Sequence, residues 1–338
     1  TSLQVQLLRT NPKTHRKMKK LYHYCYTSHH EVLCRDDEDF GRLLCRIAQT
    51  SDRTNAGILA HALMSTHAHL ISETDSLAEF SRRLRHSYTS TFNCKYHRKG
   101  ALGEKNFFLL ELRGIEHKAA AISYVLKNPM HHHVCANPFR YPYSSINLYF
   151  GSSIEHAGYK TEAETVQKHK EKVRKMISQK LLRRSKPLSD MLEMDGNGCI
   201  APASFLEYKA VETIFGTYNA FQYNIHRRDF EEWKQQQMKD GCSDEPVTLQ
   251  SIEPWMPKAA VEAFERKSRH WYKDEPVSDM ELCRIIDTEI IKRYHRESYW
   301  HMTAEEKQEA AIWLMKKFNV HEAQVCRCLA IPYNRYHK

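Results

Sequence analysis

The chain has 338 residues, 41% of them hydrophobic, and a formal net charge of +10 at pH 7. This length predicts two or three domains, and the apolar content is sufficient for packed cores. No apolar run approaches the roughly eighteen residues that span a bilayer, and the basic amino-terminal sequence lacks the apolar segment of a secretory signal. Ten scattered cysteines without a Cys-x-x-Cys pair argue against a zinc ribbon or a disulfide framework. We therefore expect a reduced, cytoplasmic protein with no membrane partner.

The positive charge is concentrated in the first part of the chain. Residues 1–150 contain 21 Lys and Arg against 12 Asp and Glu, whereas residues 151–338 contain 30 against 29. A basic domain of this kind favours a polyanionic partner such as a nucleic acid.

Hydropathy patterns in the basic part predict alternating strands and helices. In chain order these are a strand at 21–28, a helix at 36–49, strands at 56–64 and 67–73, a helix after 76, a strand or ordered loop at 107–112, and a helix at 116–128. This order predicts an α/β sandwich that contains an antiparallel sheet with flanking helices.

Local signals set two helix boundaries. Ser76 and Glu79 have the spacing of a capping box, which predicts the start of a helix. Pro129 predicts the end of the last helix in this part, because proline disfavours helical geometry at the preceding residue. On that helix Tyr124 lies nearly opposite the predicted buried stripe of Ala119, Ile122 and Leu126. It is therefore not expected to be an ordinary core residue.

The remainder of the chain predicts mostly helices. We interpret residues 156–245 as a helical connecting region and residues 246–338 as a helical C-terminal domain. Predicted helices at 303–318 and 321–329, followed by a turn and a short helix after Ala330, have the spacing of a DNA-binding helix-turn-helix. The turn lacks glycine, and a plain helical bundle is the alternative.

The candidate site combines His67-Ala-His69 with Tyr124 and Asn128. Alternate residues of a strand share a face, so the two imidazoles can bind one divalent metal ion. Residues four apart on a helix also share a face, which brings a phenol and an amide oxygen together. A cation neutralises a phosphodiester and polarises its P–O bonds, and neutral ligands leave the full charge of the ion available. The set predicts metal-assisted phosphodiester cleavage through a covalent tyrosine link.

Four motifs resemble the single-tyrosine transposases of the HUH nuclease superfamily, and most closely the REP-associated tyrosine transposases. The resemblance covers residues 20–150, with the motifs in the same order and at compatible spacings. The motifs are His67-Ala-His69 for His-hydrophobic-His, Tyr88-Thr-Ser-Thr-Phe-Asn93 with Gly100 for Tyr-x-x-x-Phe-Asn and its glycine, Tyr124-Val-Leu-Lys-Asn128-Pro129 for Tyr-Ile-x-x-Asn-Pro, and Tyr141-Pro-Tyr-Ser-Ser145 for Tyr-Pro-Trp-Ser-Ser.

The resemblance implies that His67 and His69 bind Mg²⁺ or Mn²⁺, that Asn128 supplies a further ligand, and that Tyr124 is the nucleophile. It implies cleavage and transfer of single-stranded DNA, often beside a hairpin, through a 5′-phosphotyrosine with a free 3′-hydroxyl. The implied fold of residues 1–155 is a ferredoxin-like antiparallel sheet, with the His pair on a central strand and the tyrosine on a neighbouring helix.

Basic side chains near the predicted second helix are the candidates for contact with DNA phosphates, although a solvated helix face is the alternative for each. They are Arg82, Arg83, Arg85, Lys95, Arg98 and Lys99. Tyr88, Phe92 and Phe107 have rings that can stack on bases, but Tyr88 and Phe92 lie on an apolar stripe and are expected in the core. The run His131-His132-His133 is interpreted as a solvated loop, with contact to DNA or metal as its alternative.

Departures from the family pattern leave other functions open. Ala68 replaces a bulky hydrophobic residue, and Ser65-Thr66 replaces Pro-Asn. A domesticated regulator that binds hairpin DNA without cutting is one alternative, and a metal-dependent hydrolase without a covalent step is another. The chain is a monomer or a homodimer, so Tyr124 acts with its own His pair or with that of a partner.

Overall fold

The computed structural model describes residues 18–28, 31–103, 108–151, 192–193, 200–226 and 277–332. Within these ranges no helix is long and apolar enough to cross a membrane.

Four strands form one antiparallel sheet in the order β2-β3-β1-β4. The strands are β1 (Lys20–Thr27), β2 (Gly57–Leu63), β3 (His67–Thr74) and β4 (Phe108–Leu112). Helix α1 (Asp37–Thr54) connects β1 to β2, and α2 (Leu77–Lys95) connects β3 to β4. This is the antiparallel sheet with flanking helices that the sequence patterns predict, in the ferredoxin-like βαββαβ order that the resemblance implies. It makes β3 and β1 the central strands.

The helices cover the two faces of the sheet. On one face, α1 and α2 pack against a hydrophobic cluster that includes Tyr24, Tyr26 and Leu70. On the other face lies α3 (Ile115–His131), whose apolar residues cluster with Leu59 and Ile71 of the sheet. Two short helices, α4 (Tyr208–Phe215) and α5 (Tyr218–His226), pack on the outer side of α3 and belong to the same cluster. Helix α3 is therefore covered on both sides.

This double coverage changes the predicted burial of α3. Every residue from Ala121 to Pro129 is buried, including Tyr124, which is only 5% exposed. The expectation that Tyr124 lies away from the core is thus wrong, because the sheet and the two short helices cover opposite sides of α3. The predicted end of the helix at Asn128 is also wrong. Proline removes only its own N–H, and the N–H of His132 still donates to the Asn128 carbonyl at 3.1 Å.

Helix capping follows local hydrogen bonding rather than spacing alone. The predicted capping box at Ser76 does not form. Its backbone N–H donates to Thr74 Oγ1 at 3.1 Å, and the Glu79 carboxylate binds Arg83 instead. At α1 the Asp36 carboxylate accepts from the N–H of Asp39 at 2.9 Å, which satisfies an otherwise unpaired donor of the first turn.

The C-terminal unit, residues 277–332, is helical and packs against α1 and α2 within one hydrophobic cluster. Helix α6 (Asp279–Ile285) continues through a π turn (Ile286–Ile290) to Arg293, and α7 (Ala304–Phe318) and α8 (Glu322–Leu329) follow. Residues 324–329 of α8 are all buried, so this helix is an integral part of the core. The predicted short helix after Ala330 lies largely outside the described residues, and Ala330 itself ends α8 with φ of 50°.

Candidate functional site

The first residue of β3 and the last turn of α3 meet on the face of the sheet that α3 covers. His67 Nε2 lies 2.9 Å from Asn128 Oδ1, and the His67 Nδ1 atom lies 3.1 Å from Thr66 Oγ1. His67 is 3% exposed and Asn128 is fully buried. Because α3 crosses this face of the sheet, the packing brings an imidazole nitrogen and an amide oxygen into one small polar region within an apolar layer.

The separation of these two atoms fits joint coordination of one cation. Ligands at about 2.0–2.1 Å from an octahedral ion lie about 2.9 Å apart when they occupy neighbouring positions. The observed 2.9 Å between His67 Nε2 and Asn128 Oδ1 is the length of an ordinary hydrogen bond and also equals this edge. Imidazole nitrogen and amide oxygen are both suitable ligands for Mn²⁺, and amide oxygen also suits Mg²⁺.

His69 lies beside this pair but faces the neighbouring strand. Its ring centroid is 5.1 Å from that of His67, with the two rings nearly perpendicular. Its Nδ1 is 2.9 Å from His23 Nε2, and its Nε2 is 3.8 Å from the Cys25 thiol. To share an ion with His67 and Asn128, the His69 ring must turn its Nε2 away from the Cys25 thiol, a weak contact. Among the described residues, no group of three or more His, Cys, Asp or Glu is arranged to hold a metal ion.

His23 is a site residue that the sequence analysis missed. It is fully buried on β1. Because it contacts the Nδ1 atom of His69, only the Nε2 atom of the His69 ring is open to a further partner. Burial lowers the pKa of His23 to about 3 and, together with the neighbouring imidazoles, holds the pKa of His69 well below its usual value. Both rings are therefore neutral at pH 7, which is the form that binds metals. The antiparallel register of β1 with β3 creates this pairing, and no local sequence signal reports it.

Tyr124 lies next to the two imidazoles. Its ring centroid is 5.8 Å from those of His69 and His23. The ring of His131, the last residue of α3, lies 5.3 Å away. The structure thus places the phenol, the His pair and the Asn128 amide on one side of the sheet.

The interpretation of His131, His132 and His133 as a solvated loop is wrong for two of the three. The continuation of α3 beyond Pro129 places His131 and His132 at the helix end, over the site. His132 is 2% exposed, and its ring lies 4.7 Å from that of His67. Only His133, with φ of 57°, is exposed.

The cations of α2 lie on the opposite face of the sheet. Arg82 and Arg85 line a groove of about 580 Å³ between α2 and residues 100–102, together with the hydroxyls of Ser81 and Thr89. Arg82, Arg83 and Lys99 are exposed, and the Arg85 guanidinium lies 5.5 Å from the centre of the Tyr26 ring. Arg83 pairs with Glu79 at 2.8 Å.

Two further cations named in the sequence analysis bind groups within the protein. Lys95 Nζ lies 2.6 Å from a carboxylate oxygen of Asp36 and 2.8 Å from one of Asp39. Arg98 is 7% exposed; it binds the Glu31 carboxylate and donates to the Ala101 carbonyl at 2.8 Å. The aromatic residues Tyr88 and Phe92 are 1% exposed, which confirms their expected place in the core. Phe107 lies outside the described residues.

Similarity to known proteins is found among solved structures. No protein-family model matches the sequence, and no curated protein matches it. Among solved structures, the chain is similar to a REP-associated tyrosine transposase bound to a REP hairpin. The identity is 13%, the match covers 45% of this chain and 88% of that chain, and the TM-score is 0.34.

Proposed function

We propose that this protein is a metal-dependent endonuclease and strand transferase for single-stranded DNA, a transposase that uses Tyr124 as its nucleophile at DNA hairpins. One observation carries the proposal. His67 Nε2 and Asn128 Oδ1 meet at 2.9 Å, at the separation of two ligands of one ion, and Asn128 lies one turn after Tyr124 on the same helix.

His67, His69 and Asn128 are the residues that would hold Mg²⁺ or Mn²⁺. When bound, the ion would neutralise the charge of the phosphate and polarise its P–O bonds. The amide of Asn128 carries no charge, and the lowered pKa of His69 keeps its imidazole neutral at pH 7.

Tyr124 supplies the covalent step. Its phenolic oxygen attacks the phosphorus, the bond from phosphorus to the 3′-oxygen breaks, and the 3′-oxygen takes up a proton as the phenol loses one. In the second step the 3′-hydroxyl of another strand attacks the phosphotyrosine, and Tyr124 regains its proton. Each step exchanges one phosphoester bond for another, so strand transfer needs no external energy source.

We propose that the DNA phosphates bind on the face of the sheet opposite to Tyr124. Arg82 and Arg85 line the groove on α2, and Arg83 and Lys99 are exposed beside it. Lys95 and Arg98 are neutralised by carboxylates of the protein itself. Arg83 is also paired, with Glu79 on the exposed surface. Arg82 and Arg85, which line the groove, and the exposed Lys99 are the better candidates to bind the DNA backbone.

The test is capture of 3′-labelled single-stranded hairpin DNA on a denaturing gel, with Mn²⁺ or Mg²⁺ present or removed by chelation. The attached product of a 5′-phosphotyrosine reaction keeps the 3′ label. We expect a metal-dependent adduct with the native protein, its loss in Tyr124→Phe, and its retention in Tyr141→Phe. Tyr141 is a matched control because it is another buried phenol, which donates to the Leu63 carbonyl at 2.6 Å.

The other outcomes select the alternatives. Tight hairpin binding without adduct or nicking would identify a non-cleaving regulator. Nicking that survives Tyr124→Phe would identify a hydrolase without a covalent step.

A further inference from the structure

The turn that carries His67 is fixed by its backbone. The Ser65 carbonyl accepts from the N–H groups of Leu33 at 2.6 Å and Cys34 at 3.1 Å. The N–H of Met64 donates to the His67 carbonyl at 2.7 Å, which closes the turn between β2 and β3. A displacement of this turn therefore displaces His67, the first residue of β3.

The side chain of the same turn reaches the C-terminal unit. Ser65 Oγ donates to Asp279 Oδ2 at 2.6 Å, across 214 residues of sequence. Asp279 is the first residue of α6 and is 3% exposed. Its carboxylate also accepts from Arg327 Nη2 at 2.6 Å and from Gln324 Nε2 at 3.2 Å, both on α8. The hydroxyl of Ser65 is thus bound to a buried, charged network that belongs entirely to the C-terminal unit.

A second ion pair holds the loop beneath this turn. The Arg35 guanidinium binds Asp287 through two bonds of 3.1 and 2.7 Å and donates to the Cys328 carbonyl at 2.6 Å. It also lies 3.9 Å from the centre of the Tyr299 ring. Arg35 directly follows the two residues whose N–H groups hold the Ser65 carbonyl. The C-terminal unit therefore contacts the turn directly, through Asp279, and indirectly, through Arg35.

We propose that Asp279 and Ser65 are positioning residues, through which the docked C-terminal unit sets the place of His67 in the candidate metal site. The His67 imidazole is held on one side by Asn128 and on the other by Thr66, the neighbour of Ser65. Loss of the Ser65–Asp279 bond removes the direct link between the turn and the C-terminal unit, while the backbone hydrogen bonds of the turn and the Asp279–Arg327 pair remain intact. The part of this inference that concerns metal affinity rests on the proposed function, and the part that concerns the position of His67 does not.

The matched variants are Ser65→Ala and Ser298→Ala in the full chain. Ser298 is also a buried serine whose hydroxyl donates across the same interface, to the Tyr96 carbonyl at 2.6 Å, but it does not contact the turn. Comparable losses of thermal stability are expected in the two variants. Ser65→Thr keeps the hydroxyl and serves as the rescue.

The primary readout is the nitrogen spectrum of ¹⁵N-histidine-labelled, metal-free protein, with the His67 resonances assigned by His67→Gln. We expect these resonances to move in Ser65→Ala and to stay in place in Ser298→Ala and Ser65→Thr. The second readout is Mn²⁺ titration, in which Ser65→Ala weakens binding by about tenfold and Ser298→Ala does not. Unmoved His67 resonances in Ser65→Ala, or equal shifts in both alanine variants, would overturn the proposal. A shift of the His67 resonances in Ser65→Ala, combined with no DNA adduct from the native protein, would contradict only the proposed function.

Discussion

The imidazole of His67 and the side-chain amide of Asn128 lie in contact, with Nε2 and Oδ1 2.9 Å apart, although 61 residues separate them in sequence. Each comes from a different layer of the fold, since His67 begins β3 and Asn128 lies near the end of α3. Buried polar groups are normally satisfied by hydrogen bonds. This contact provides a partner for His67 Nε2 and for Asn128 Oδ1. The Nδ2 atom of Asn128 has no hydrogen-bond partner in the described part of the chain.

Replacement of Asn128 by Leu tests the amide as a ligand. The side chains have similar volume, but leucine removes the oxygen donor, and we expect the Mn²⁺ dissociation constant to rise at least tenfold. Asn93→Leu is the matched control, because Asn93 is an amide of α2 on the other face of the sheet. Isothermal titration with Mn²⁺ measures both. Equal affinities of Asn128→Leu and the native protein would remove Asn128 from the ligand set.

Replacement of His23 by Phe tests its role in orienting His69. Partners that orient a metal-bound imidazole typically contribute about 10–100-fold to metal affinity. We expect a loss of this size in His23→Phe, because the ring of His69 loses its 2.9 Å contact. His61→Phe replaces another fully buried imidazole, one on the edge strand β2, and should leave Mn²⁺ affinity unchanged. A loss shared by both variants would indicate a general packing defect.

His61 also predicts a pH dependence of stability. Burial lowers its pKa from 6.5 to about 4, so the unfolded chain binds the proton before the folded one as pH falls. Stability from this residue is therefore constant above pH 6.5 and is lost as pH falls from 6.5 towards 4. At pH 5 the loss is about 2 kcal/mol. Urea unfolding at pH 7 and pH 5 should show a pH-dependent loss smaller by this amount in His61→Phe, and identical losses would contradict the prediction.

Arg82 and Arg85 predict a salt dependence of DNA binding. If each contacts one phosphate, replacement by Ala lowers the slope of log K against log salt concentration by about 0.7 for single strands. Arg53→Ala, which removes an exposed arginine from the end of α1, should leave the slope unchanged. Fluorescence anisotropy over a salt series measures all three variants. Unchanged slopes for Arg82→Ala and Arg85→Ala would place the DNA elsewhere.

The order of strands and helices in the sheet domain could be predicted because their hydrophobic periods differ. The stripe of α1 arises from burial on one face of the helix, and the aromatic residues of β1 favour a strand, so both signals are visible in a single segment. The face shared by His67 and His69 follows from the same period of two. These patterns can be read without knowledge of the elements that pack against each segment.

The errors arose where a distant element decided the local structure. Tyr124 is buried against His23 and His69 of the sheet. The opposite side of α3 is covered by α4 and α5, which begin at Tyr208, far beyond the end of α3 at His131, and carry no signal in its sequence. The contact of His23 with His69 requires the register of β1 against β3. The pairing of Arg35 with Asp287 joins residues 252 apart, and no pattern in either segment predicts it.

The most direct test of the central claim is mass spectrometry of the protease-digested protein–DNA adduct. The account predicts a nucleotide remnant on the phenolic oxygen of Tyr124 and on no other residue. A remnant on another side chain, such as Tyr141 or Tyr143, or metal-dependent cleavage with no modified peptide, would contradict it.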